Sequence, residues 1–125
     1  MKEVIKTNNA PAPIGPYNQG IKHNGTIYLS GQIAMDPATG ELVMDTIENE
    51  TKQVMENIKA LLDEAGSSFD KIIKCSIFIS DMENFARINE VYGSYFTSNY
   101  PARECVEVAC LPKNVNVEIT VIAAQ

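Results

Sequence analysis

Histidine occurs once in the 125 residues, cysteine three times, and the ten lysines and arginines are outnumbered by sixteen aspartates and glutamates. Each scarcity excludes something. A single histidine, His23, with no other ligand spaced around it, would leave a metal centre to carboxylates alone, so no metal is expected. His23 sits beside an Asn-Gly pair and reads as a solvated turn residue, not as a catalytic base. Cys75, Cys105 and Cys110 are an odd set without paired spacing, which argues against a disulfide framework. A formal charge of -6 leaves no basic patch to neutralise phosphates, so a nucleic-acid partner is not expected. The longest apolar runs, such as KCSIFIS, fall far short of the ~20 residues of a membrane span. The start, MKEVIKTNN, lacks the apolar core of a secretory signal, and a cytoplasmic protein without a membrane partner is expected. No internal repeat, linker or low-complexity tract is visible.

What is present fits one domain over residues 1–125, long enough to bury roughly two-thirds of its unfolded surface. EVIKT and QGIKHNGTIYLSGQIAM read as strands, and Asn24-Gly25 marks a two-residue hairpin between them. NAPAPIGPYNQG, with three prolines and Gly15, is expected to be a rigid extended loop. Val54, Ile58, Leu61, Leu62 and Ala65 recur at helical spacing, with Asp45 or Thr46 as cap and Gly66 as stop. KIIKCSIFIS is β-branched and aromatic, as a half-buried or central strand is. Asp81 is placed to cap a second helix with an apolar stripe of Phe85, Ile88, Val91, Tyr92, Tyr95 and Phe96, ending before Pro101. RECVEVAC and NVNVEITVIA follow, read as a final hairpin turning at Leu111-Pro112-Lys113. The predicted order β-β-β-α-β-α-β-β is an α+β layout, a six-stranded mixed sheet with two helices packed on one face.

Alternation in that hairpin sets Val106 and Val108 on one side and Arg103, Cys105 and Glu107 on the other. Sharing the core with Val117, Ile119 and Val121 would then bring Glu107 across from Glu118 on a polar second face. That face is either solvated, with surface ion pairs worth little, or a subunit interface containing a pocket. YLSGQIAM bears on the choice, because it sets Ser30 and Gln32 to one side of Gly31, where backbone can approach another group closely.

The segments APAPIGPYNQG, LSGQIAMDPATGEL, FARINEVYGSYF and PARECVEVACLPKNVNVEI together resemble the RidA (YjgF) family of reactive intermediate deaminases over essentially the whole chain. The resemblance implies a chorismate-mutase-like fold and a homotrimer whose sheets form a central barrel, with ligand sites between subunits. It also implies cofactor-independent hydrolysis of enamine and imine intermediates such as 2-aminoacrylate and 2-iminopropionate to 2-oxo acids and ammonia. Such an enzyme is a 2-iminobutanoate/2-iminopropanoate deaminase. A reading from a different class is a non-catalytic trimer that binds small 2-oxo or amino acids; the same arginine would serve both.

Carried over by motif, Arg103 binds the substrate carboxylate bidentately, as the planar guanidinium does better than lysine. The backbone N–H of Cys105 lies beside the same carboxylate, and Gly31 lies against the ligand. Glu118 holds and deprotonates the attacking water, its basicity raised by burial and by Glu107. Tyr17 closes over the ligand from the proline loop, while Ser30 and Asn89 line the cleft. A nucleophilic role for Cys105 finds no base partner in the sequence, and its side chain reads as packing. Asn18 and Cys110 depart from the familiar pattern without touching this chemistry.

Overall fold

The computed structural model describes residues 1–125. The strands are β1 (Glu3–Ile5), β2 (Gly20–His23), β3 (Thr26–Leu29), β4 (Ile72–Ile79), β5 (Ala102–Glu107) and β6 (Val117–Ala124). The helices are α1 (Ile47–Ala65) and α2 (Phe85–Gly93). Asn24 and Gly25 adopt positive φ angles of 50° and 78°, the left-handed pair that a tight β2–β3 hairpin needs. Thr46 caps α1, its hydroxyl accepting from Asn49 N at 3.0 Å, and Gly66 ends the helix in the left-handed conformation at φ 76°. Asp81 caps a single 3-10 turn, Met82–Asn84, that runs on into α2.

α2 is shorter than its apolar stripe predicts. It stops at Gly93, and Tyr95 and Phe96 leave it in a turn where Ser94 Oγ donates back to Val91 O. Phe96 remains buried, stacked on Tyr92 at 4.9 Å and edge-on to Phe69 at 5.7 Å, so the stripe continues as packing after the helix has ended.

The sheet order is β1-β2-β3-β6-β4-β5, and this overturns the final hairpin. β5 pairs with β4 in parallel, whereas β6 enters between β3 and β4, antiparallel to both. The cause is visible in the chain order. A helix separates β4 from β5, and such a crossover returns the chain in the same direction. Residues 108–116 then step over the end of β4 instead of turning back beside β5.

Register fixes the faces. Arg103 lies opposite Cys75, which lies opposite Val121, and Cys105 aligns with Ile77 and Ile119. These rows face the helices. Val106 aligns with Phe78 and Glu118 on the open face. The expected assignment is thus reversed: the valine at 106 is out, 39% exposed, and the arginine is in. β5 is an edge strand only partly covered by α2, so long polar side chains on its helix side reach the rim while a short apolar one is left on the open side. The open face carries the row Val4, Ile21, Tyr28 and Ile122, with no helix over it. The other face packs beneath α1 and α2 into the core, where Ile27, Ile58, Leu61, Ile77 and Ile119 are almost fully enclosed.

Candidate active site

Four of the residues picked out from the sequence meet on the open face. Tyr17, Ser30, Gly31 and Glu118, with Ile14, Ile33 and Pro112, line a cavity of about 360 Å³. Gln19 stands behind one wall and supports it. It is buried, and its side-chain amide donates to the carbonyls of Thr7 (3.0 Å), Ala10 (3.2 Å) and Pro11 (2.9 Å) while accepting from Thr7 N (2.8 Å). A proline-rich segment has few N–H groups with which to fold on itself, so one glutamine collects its free carbonyls and fixes the loop that carries Tyr17.

The opposite wall is stitched to β6. Gln32 and Ile119 exchange backbone hydrogen bonds of 2.9 and 3.1 Å, which draws residues 30–32 alongside Glu118. Gly31 is glycine because Glu118 lies against it: an added Cβ would fall 2.8 Å from Glu118 Oε2. The Ser30 hydroxyl donates to the Asn18 carbonyl at 2.6 Å, leaving its oxygen as an acceptor. Burial raises the Glu118 carboxyl above its ordinary 4.5, with no charged group contributing. Glu107 plays no part in this, contrary to the sequence expectation; it lies on the other face and accepts from Met82 N at 2.7 Å, capping the approach to α2.

Arg103 and Asn89 meet elsewhere. Arg103 lies over the rings of Phe85 (5.6 Å) and Tyr92 (5.0 Å), and its Nη1 donates to Asn89 Oδ1 at 2.6 Å. None of the ion pairs in the chain involves it. An open depression of about 480 Å³ beside it is lined by Asn89, Tyr92, Gly93, Tyr100 and Pro101. A guanidinium held in place by two rings and an amide, with no acid on its remaining N–H groups, is prepared for an external anion. Cys105 follows on the same face, half-buried, and burial pushes its thiol up, with Arg103 partly offsetting. A thiol so raised is a poor nucleophile.

Arg103 and Glu118 therefore lie on opposite faces of the sheet, and a single copy of the chain does not bring them together. Among the cavity linings, the sequence reading did not single out Ile14, Ile33, Pro112, Tyr92 or Tyr100. The YPAR stretch carried a signal for the last, since it sets an aromatic three residues from the arginine. His23 is exposed, its ring 3.1 Å from Asn24 Nδ2 at the hairpin turn and distant from both sites. No three His, Cys, Asp or Glu side chains group closely enough to hold a metal ion. No helix is long and apolar enough to cross a membrane.

The sequence model of the family described as Endoribonuclease L-PSP matches residues 7–125. A RutC family protein of Pyrococcus horikoshii is 53% identical over 123 residues, covering 98% of each chain. A protein of Bos taurus named 2-iminobutanoate/2-iminopropanoate deaminase is 44% identical over 125 residues, covering 100% of this chain and 91% of its own. Among solved structures, the Rid family protein YyfA of Yersinia pestis superposes with a TM-score of 0.98 at 50% identity, over 100% of both chains.

Proposed function

Because the chain belongs to the Endoribonuclease L-PSP (RutC/RidA) family, we propose that it is an imine deaminase, hydrolysing 2-imino acids such as 2-iminopropionate to 2-oxo acids and ammonia. The observation that carries this reading is Glu118, a half-buried carboxyl with a raised proton affinity, no charged partner, and a cavity in front of it. A protein that only bound small carboxylates would need Arg103 and have no use for that acid.

In this reading the copies assemble as a homotrimer, open sheet faces inward as a barrel, so that Arg103 of one copy stands opposite Glu118 of the next. Two observations support it: the uncovered row of Val4, Ile21, Tyr28 and Ile122, and the separation of Arg103 and Glu118 onto opposite faces. A cytoplasmic setting belongs to the same reading.

The substrate carboxylate docks on the free N–H groups of Arg103, beside the Cys105 backbone N–H, and so orients the imine carbon toward Glu118. Glu118 takes a proton from water as the oxygen adds to that carbon, then passes it to nitrogen, giving a carbinolamine. The carbinolamine hydroxyl then gives its proton to Glu118, which delivers it to the nitrogen as the C–N bond breaks and the C=O bond forms, leaving a 2-oxo acid and ammonia. Tyr17 shields the cavity mouth, and Ser30, able only to accept, meets an N–H of the substrate. Neither metal nor organic cofactor enters this route. The test is release of 2-oxo acid and ammonia from freshly generated 2-iminopropionate, with sedimentation of the same sample. Turnover by a trimer is expected; a monomer without turnover overturns the assembly and the site together.

A further inference from the structure

One fully buried acid lies outside both half-sites. Glu50, on α1, has no solvent exposure and no cation beside it. Its Oε2 accepts from the backbone N–H groups of Asn116 (2.7 Å) and Val117 (3.2 Å), and its Oε1 accepts from Asn116 Nδ2 (2.7 Å). These donors are the two residues immediately before Glu118. An acid is a costly way to fill a helix–sheet contact that an apolar side chain could fill, so its three bonds are where to look for its purpose.

The segment it grips needs gripping. Lys113 and Asn114 stand in succession in the left-handed region, at φ 56° and 57°, which persists for non-glycine residues only where the surroundings over-determine it. Pro112, just before them, and Glu118, four residues after Asn114, both line the same cavity. Val115 is buried between, and Ser80 N donates to Asn116 O at 3.1 Å from the end of β4. Glu50 from the helix side and Ser80 from β4 thus fix the point at which β6 starts, and with it the height of Glu118 in its cavity.

We propose that Glu50 is a positioning residue for Glu118, its two oxygens setting the first residues of β6 so that the cavity acid meets its water and substrate at working distance. The inference rests on the deaminase reading for its kinetic consequence and on geometry alone for its structural one. Glu50→Gln keeps the volume but exchanges one acceptor oxygen for a donor, which must face either Asn116 Nδ2 or the two backbone N–H groups. We expect kcat on 2-iminopropionate to fall about ten- to a hundredfold, the scale of a displacement of up to an ångström at a reacting group. KM should hold, because the carboxylate is bound by Arg103 in the other half-site. The Glu118 carboxyl, followed by carbon-13 NMR in the intact protein, should titrate lower than in wild type as its burial loosens; within its own chain burial alone raises it, and Arg103 of the neighbouring copy would act in the same lowering direction. Asn116→Ala removes one of the three donors and should shift the same two quantities by less; it decides the matter if Glu50→Gln does not fold. A folded variant with kcat and the Glu118 titration both unchanged, melting earlier, makes Glu50 a structural residue only and overturns the proposal. A wild-type protein that leaves 2-iminopropionate untouched sinks the deaminase reading instead, and the Glu118 titration then decides the positioning claim by itself.

Discussion

An alanine at position 31 would set its Cβ 2.8 Å from Glu118 Oε2, 3.0 Å from Cδ and 3.2 Å from Cγ. The first of these falls about 0.6 Å short of the 3.4 Å at which ordinary contact begins. Gly31 is not among the glycines with positive φ, so the backbone accepts alanine without strain and the whole burden falls on the Glu118 side chain. That side chain is half-buried and flexible, and it can swing away at little cost to the fold. Surface-like substitutions of this kind leave Tm within about 3 °C. Its function is less forgiving. Misplacing a reacting group by 1 Å costs about a hundredfold, so a displacement of about half that predicts about a tenfold loss in kcat, or ~1.4 kcal/mol of transition-state stabilisation. In the deaminase reading KM should stay close to wild type, since Arg103 would continue to hold the carboxylate. The assay is deaminase kinetics on 2-iminopropionate beside a thermal melt of the same preparation. Unchanged kcat in a folded Gly31→Ala protein would refute the argument, because it would mean that a displaced Glu118 carboxylate does not matter.

Glu118→Gln should abolish most turnover and stabilise the protein at neutral pH. Burial raises the Glu118 carboxyl in the folded state above its ordinary 4.5, so the folded chain binds the proton more tightly than the unfolded one. Wild-type stability therefore falls as pH rises through the window from 4.5 upward, and the melting gap between variant and wild type should close as pH drops below it; a gap that widens on acidification contradicts the assignment. In the same reading Arg103→Ala would remove the partner of the substrate carboxylate, a loss of about 2 to 5 kcal/mol, or roughly 30- to 5,000-fold in kcat/KM. Arg103→Lys should recover only a minor part, because it keeps the charge without the planar fork. The melt should drop modestly with the contacts to Phe85, Tyr92 and Asn89; an alanine variant that folds and turns over normally makes Arg103 a surface residue.

The parts of this fold that declare themselves locally were legible. Asn24-Gly25, Thr46 and Gly66 each do by short-range chemistry what the structure shows them doing, and the two helices and six strands fall in the expected order. What misled was strand pairing, which is decided at long range. The short stretch around Leu111–Lys113 looked like a hairpin turn, although the helix between β4 and β5 already implied parallel pairing. From that error came the wrong neighbour for Glu118, while the wrong face for Arg103 came from expecting Val106 and Val108 to share the core. At the site, Tyr17, Ser30, Gly31 and Glu118 share a cavity, while Arg103 and Asn89 share another. The division between them was invisible in the sequence, because a strand shows its alternation but not which side its helix will cover. Glu50 was missed for a related reason: a glutamate on an amphipathic helix looks like surface until its three N–H partners, far along the chain, are in place.

The last strand in chain order occupies the middle of the sheet. Without β6 the sheet separates into a β1-β2-β3 meander and a β4-β5 pair, with no strand pairing to join them. A chain emerging from the ribosome would hold these halves with bare edges until residues 117–124 have cleared the exit, and bare edges are templates for pairing with other chains. The closing register, Thr26 with Ala124 and Ile27 with Ala123, spans almost the whole stretch from the first hairpin to the final strand, so this pairing is non-local and is expected to form late and slowly for so small a domain. A prematurely terminated chain ending before β6 would not be a slightly shortened protein but two unjoined pieces of sheet.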